Sequence, residues 1–174
     1  KAKMVSYGLA YGMEAYGLGQ RLSIPTEEAA VILDAYFEAF PAVRDYMDRT
    51  VAEARERGHT ETLFGRRRPI PELSSSNFRV RQAGERQAMN AGIQGLAADI
   101  FKVALVRLDH ALLAGDHRSR LILQVHDEVL LEVDPAEHDA MTEMTTSILS
   151  GAAALRVPLE VNLAFGDSWA AAKA

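Results

Sequence analysis

The chain has 174 residues, 48% of them hydrophobic and 25% charged, with a formal net charge of −5 and no cysteine. That balance suits one sizeable globular domain or two small ones and excludes disordered and collagen-like chains, while the lack of cysteine excludes a disulfide framework, a thiolate nucleophile and a cysteine-type zinc site. No apolar run approaches the roughly 20 residues that span a bilayer and no signal sequence opens the chain, so a cytoplasmic protein with no membrane partner is expected.

The opening residues follow a helical pattern to about Tyr11 with no start signal before Lys1, which suggests a chain that begins inside a longer protein. Gly8, Gly12, Gly17 and Gly19 then predict a glycine-rich turn and a short second helix. Thr26, followed by Glu27 and Glu28, marks a helix start, and Ala30, Ile32, Leu33, Tyr36, Phe37 and Phe40 form an apolar stripe that Pro41 interrupts. A third helix runs to Arg57 and ends at Gly58. Residues 59 to 73 alternate around Gly65, with Pro69 and Pro71, and predict a hairpin and an extended arm.

A helix is expected from about Asn77 to Gln94, a break near Gly95, and a further helix over 96 to 114 with Ile100, Val103, Ala104, Leu108, Ala111 and Leu112 inward. Leu121 to Val125 and Val129 to Val133 are apolar runs separated by His126, Asp127 and Glu128, the pattern of a tight hairpin with a polar tip. Asp134-Pro135-Ala136-Glu137 has a capping residue, a first-turn proline and an acid three places on, so a helix follows to about Leu149. Val157 to Phe165 is predicted as a closing strand.

Charge is unevenly spread. Residues 66 to 86 hold Arg66, Arg67, Arg68, Arg79, Arg81 and Arg86 against Glu72 and Glu85, a local balance of +4 that suits phosphate. Residues 101 to 174 hold 6 basic and 11 acidic residues, a balance of −5 that suits a metal ion or plain solubility.

Three constellations could carry chemistry. Lys3, Tyr7 and Tyr11 recur every four residues, so on a helix they drift by only about 40° per step and share one face, a cation with two rings as a phosphate-plus-base ligand requires. Tyrosines at that spacing also fit a core helix. Arg86, Asn90 and Gln94 repeat the spacing and place a guanidinium and two amides along one stripe. Long polar donors there could test minor-groove acceptors without reading sequence, or simply face solvent. His126-Asp127-Glu128 sets two carboxylates at a hairpin tip, a place for a hard cation with oxygen ligands or for a solvated turn. Histidines 59, 110, 117 and 138 have no ligand-like spacing around His126, and no phosphate-binding glycine loop or nucleophile elbow is present.

In this order and over essentially the whole chain, the motifs resemble the family A DNA polymerases, the bacterial DNA polymerase I group. Lys3 with Ser6-Tyr7-Gly8-Leu9-Ala10-Tyr11-Gly12 resembles the second half of the fingers motif, Ala88-Met89-Asn90-Ala91-Gly92-Ile93-Gln94-Gly95 the primer-template helix, and Gln124-Val125-His126-Asp127-Glu128 the palm hairpin. Gly65-Arg66-Arg67-Arg68, Ser75-Ser76-Asn77 and Gly166-Asp167-Ser168-Trp169 are similar to further family signatures.

The resemblance implies an α+β fold, with residues 1 to 80 in helical fingers and 81 to 174 in an antiparallel-sheet palm of a right-hand polymerase. It implies Asp127 as a Mg²⁺ ligand, Glu128 as an accessory carboxylate and His126 as a contact near the primer terminus. Lys3, Tyr7, Tyr11 and Gly12 would bind the incoming deoxynucleoside triphosphate. Arg86, Asn90 and Gln94, with Arg66, Arg67 and Arg81, would hold primer-template DNA. The implied reaction is attack of a primer 3′-hydroxyl on the α-phosphate at a two-metal site, by a monomer acting on bacterial nucleoid DNA. The second metal-binding aspartate would lie before Lys1, so the 174 residues alone are expected to be inactive. A DNA-binding module without catalysis and a helical adaptor without DNA affinity are the rival readings.

Overall fold

The computed structural model describes Ser6, Gly8 and residues 12–173. Lys3, Tyr7 and Tyr11 of the expected opening helix lie outside the described residues. The chain is α+β and divides into two compact units, Lys1–Leu96 and Ala97–Ala174.

The first unit contains helices α1 (Ala15–Leu22), α2 (Thr26–Ala39) and α3 (Pro41–Arg57), an antiparallel hairpin of β1 (His59–Glu61) and β2 (Arg67–Pro69), and a short 3₁₀ turn over Pro71–Ser74 where an extended arm was expected. Local chemistry sets most of these boundaries. Thr26 is the first residue of α2 rather than a side-chain cap, and Glu27 and Glu28 place negative charge on the positive end of the helix. Pro41 has no N–H to donate, so it ends the preceding helix and serves as the first residue of α3. Gly58, at φ 72°, closes α3 by donating its N–H to Ala54. In the hairpin, Arg67 Nε donates to Glu61 Oε2 at 2.7 Å, which holds the Glu61 carboxyl below its usual range.

The long helix α4 (Phe78–Ala114) begins where Asn77 Oδ1 accepts from the N–H groups of Arg79 and Val80, at 2.9 and 3.4 Å. It continues without a break through Gly95, contrary to the expected interruption. The glycine is needed there for approach rather than for bending: a Cβ at this position would stand 2.7 Å from Thr62 Cγ2. Val51, Ala54, Ile70, Leu73 and Ala88 form the core between α3, the 3₁₀ turn and α4, and Arg55 pairs with Glu85 beside it.

The second unit takes the end of α4, a hairpin of β3 (Arg120–Val125) and β4 (Glu128–Glu132), a 3₁₀ turn over Pro135–Glu137, α5 (His138–Ser150) and the short α6 (Trp169–Ala172). Leu108, Leu112 and Met141 are buried at its centre, with Leu121, Val129 and Leu131 of the hairpin and Val133 just beyond it packed on them. Val125 pairs with Glu128 and Arg120 with Glu132, but the register shifts between Leu121 and Leu123. Ile122 is therefore an extra residue, a bulge that moves Leu121 onto the core while Ile122 stays half exposed.

The predicted strand over 157 to 165 is not a strand; no ladder partner for it exists among the described residues. Pro158 lacks a donor, and Val157, Leu163 and Phe165 are exposed; Phe165 instead lays its ring 4.2 Å from that of His138.

The foot of the β3–β4 hairpin is tied down by Glu137. Its carboxylate accepts from the N–H and hydroxyl of Ser119, at 2.9 and 2.6 Å, and from the Arg118 N–H at 3.1 Å, with His117 Nδ1 at 3.4 Å. Ser119 Oγ in turn accepts from the Asp134 N–H at 3.0 Å. The Ser119 hydroxyl and N–H bonds favour the ionised form and lower the Glu137 pKa to about 2. A carboxyl depressed in this way stabilises the folded state above its unfolded value, and that contribution is lost as pH falls through the folded one. Glu137→Gln should thus melt at a lower temperature than the parent at neutral pH. Between pH 4.5 and about 2 the two curves should converge, which thermal melts at a series of pH values would show.

Candidate functional site

On the first unit, the spacing of Arg86, Asn90 and Gln94 is realised as one face of α4. With Arg68, Ala83 and Gln87 these residues line a shallow cavity of about 390 Å³. Arg68 and Gln87 were not singled out as site residues from the sequence. Arg68 arrives from β2, through a hairpin pairing that helical spacing on α4 does not reveal, and its Nη2 stands 3.4 Å from Gln87 Oε1. Asn90 Nδ2 donates to the Arg86 carbonyl at 2.9 Å, which orients its amide along the helix. The surface is thus polar, cationic and long, as a strip laid along a nucleic-acid groove must be.

The other expected DNA contacts are more committed within the protein. Arg67 pairs with Glu61, and Arg81 Nη1 donates to the Ser75 carbonyl at 3.0 Å with its guanidinium 5.7 Å from the Phe78 ring. The N–H of Arg66 is held by Thr62 Oγ1 at 3.2 Å, in the turn where Gly65 adopts φ 82°. All three side chains remain at or near the surface.

Of the four expected nucleotide contacts, only Gly12 is described. It sits in a turn at φ 67°, and a Cβ there would stand 2.9 Å from Met89 Sδ and 3.4 Å from Arg86 Cγ. Both the backbone conformation and the close approach to α4 require glycine. Gly12 therefore packs directly beside Arg86.

On the second unit, His126 and Asp127 form the two-residue turn between Val125 and Glu128. His126 is in the left-handed region at φ 54°, as a turn this tight demands of at least one residue, and Gln124 Nε2 donates to its carbonyl at 2.7 Å. Glu128 belongs to β4 rather than to the turn. The turn projects Asp127 into solvent, and its carboxylate has no hydrogen-bond or ion-pair partner among the described residues. Glu128 is half exposed and pairs with Lys173 Nζ at 2.9 Å.

Two hard carboxylates on successive residues, one of them unengaged, fit the oxygen-ligand preference of Mg²⁺, which retains water and takes few protein ligands. Among the described residues no three His, Asp or Glu side chains group together as a metal site. No helix among the described residues is long and apolar enough to cross a membrane.

Comparisons with known proteins extend over the same residues. The family model described as DNA polymerase family A matches residues 1–171. DNA polymerase I of Mycobacterium tuberculosis is 52% identical over 172 residues, 99% of this chain and 19% of the relative. DNA polymerase I of Geobacillus stearothermophilus is 44% identical over 173 residues, 99% of this chain and 20% of the relative. The structure of the POL domain of Pol1 from M. smegmatis in complex with DNA primer-template and dNTP matches with a TM-score of 0.96 and 51% identity, covering 99% of this chain and 30% of that one. The chain thus spans about a fifth of the length of the curated relatives it matches. With motifs, fold and family model agreeing from one end to the other, the chain belongs to DNA polymerase family A.

Proposed function

We propose that the complete protein is a template-directed DNA polymerase that adds deoxynucleotides to a primer 3′ end, and that this chain supplies parts of its fingers (1 to 80) and palm (81 to 174). The observation that carries this reading is the Asp127 carboxylate, presented without a partner at the tip of a hairpin whose foot is fixed, in a chain matched by the family model over residues 1–171.

Asp127 would hold divalent metal, with Glu128 an accessory carboxylate beside it. When bound, a pair of Mg²⁺ ions stabilises the attacking and leaving oxygens of an in-line phosphoryl transfer. His126, whose backbone carbonyl Gln124 holds, contacts the primer terminus. Lys3 offsets triphosphate charge, Tyr7 packs on the nucleotide sugar and base, Tyr11 stands by the templating base, and Gly12 lets that segment turn against α4. Arg86, Asn90 and Gln94 follow the duplex minor groove, where acceptors recur in similar positions in every base pair. Arg66, Arg67 and Arg81 face the phosphates, Arg67 with its charge already partly offset by Glu61. The other metal-binding aspartate comes from a segment outside these 174 residues, so this chain by itself does not extend a primer. The complete protein works as a monomer in the bacterial cytoplasm, on nucleoid DNA.

Two measurements test this. Metal-dependent primer extension should be present in the complete protein and absent from the 174-residue chain; extension by the short chain would refute the division of the site. DNA affinity should fall steeply as salt rises, and Arg66→Ala in the complete protein should reduce the slope of log K against log salt by about 1. An unchanged slope would remove Arg66 from the interface.

A further inference from the structure

The last residues of the chain bear on the hairpin tip in a way the proposed mechanism leaves unused. Ser168 Oγ accepts from the Ala171 N–H at 3.2 Å and its carbonyl accepts from the Ala172 N–H at 3.0 Å, which closes α6 into a single tight turn. Gly166 lies against that turn so closely that a Cβ would stand 2.7 Å from Ala172 N. The Lys173 N–H donates to the Ala170 carbonyl at 3.3 Å, and its ammonium lies 4.9 Å from the centre of the Trp169 ring. The Lys173 ammonium is therefore within reach of both the Trp169 ring and a carboxylate. Its partner is Glu128, at 2.9 Å, the residue next to Asp127.

An ion pair between two half-exposed side chains adds little to stability, so the value of this one must be sought in what it does to the charge at the tip. Without Lys173, two adjacent carboxylates would face a divalent ion with full charge, and Glu128 would be free to swing into its coordination. With Lys173 in place, Glu128 is neutralised and drawn toward the C-terminal turn, leaving Asp127 as the unengaged ligand.

Resting on the polymerase reading of Asp127, we propose that Lys173 is a positioning residue: through its ion pair it holds Glu128 out of the coordination of the ion at Asp127 and so weakens the binding of that ion. The Gly166-Asp167-Ser168-Trp169 segment is the mount that makes this possible.

The test uses the complete protein, with Mn²⁺ as the probe in the absence of DNA and nucleotide. The polymerase-site ions are those lost in Asp127→Asn. Lys173→Met should tighten their binding by about three-fold, because it frees the Glu128 charge to face the ion at a solvent-exposed site. Lys173→Arg should restore the parent affinity, and Lys173→Met should have no effect in a Glu128→Gln background. In protein labelled with 5-fluorotryptophan, the Trp169 resonance, assigned by its loss in Trp169→Phe, should move in both Lys173→Met and Glu128→Gln as the ammonium leaves the ring. An unchanged Mn²⁺ affinity in Lys173→Met, or a shift that persists without Glu128, would overturn the proposal. If instead Asp127→Asn loses no bound ion, the metal reading of Asp127 falls, while the fluorine resonance still reports whether Lys173 and Glu128 are paired.

Discussion

Asp127→Asn in the complete protein should lower the rate of primer extension by about a thousandfold or more while leaving the fold intact. A divalent ion that polarises a phosphoryl oxygen supplies several kcal/mol of transition-state stabilisation, and each 1.36 kcal/mol is about a factor of ten in rate. The amide keeps the size of the carboxylate and loses its charge. Because Asp127 is exposed and bonded to no described residue, the change removes no internal interaction, and stability should stay within about 0.5 kcal/mol of the parent. The pairing of a large loss of activity with an unchanged melting temperature separates a metal ligand from a structural residue. A variant that retained a tenth of the parent rate would take Asp127 out of the chemistry.

Leu108→Ala should have the largest effect on stability. The side chain is fully buried, and with Leu112 and Met141 it forms the core against which Leu121, Val129 and Leu131 of the hairpin and Val133 just beyond it rest. Truncation removes the transfer energy of three carbons and leaves a cavity, together about 2 to 5 kcal/mol, whereas Leu108→Met, which conserves volume, should cost less than about 1.5 kcal/mol. Since that core supports the base of β3 and β4, the loss should be read in the hairpin amides by hydrogen exchange, with protection falling by a matching amount. Unchanged exchange in β3 and β4 would show that the hairpin is held by the Glu137 bonds rather than by the core.

What was legible in the sequence is what depends on neighbours a few residues away. Pro41 and Gly58 act on their own turns, and the Arg86–Asn90–Gln94 stripe follows from helical periodicity alone. The β3–β4 hairpin was readable because a short polar turn joins two apolar runs, and the acid at its tip was readable with it. What was misread depends on partners distant in the chain. Gly95 signals a break in isolation, yet its lack of a side chain serves the contact with Thr62 and the helix runs on. Residues 157 to 165 carry a strand-like run, but a strand exists only with a ladder partner. Ile122 shifts the register by one residue, which no alternation pattern announces. In the same way Arg68 completes the groove on α4 from a separate hairpin, and Lys173 meets Glu128 from the far end of the second unit.

The metal role proposed for Asp127 can be tested directly on the polypeptide. With Fe²⁺ in place of Mg²⁺, and primer-template DNA and a deoxynucleotide bound, ascorbate and peroxide generate hydroxyl radicals that cut the backbone beside the ion. Cleavage of the complete protein between residues 125 and 129, abolished by Asp127→Asn and by excess Mg²⁺, is the expected result. Absence of cuts at this turn, or cuts that survive the substitution, would contradict the assignment of Asp127 as a ligand.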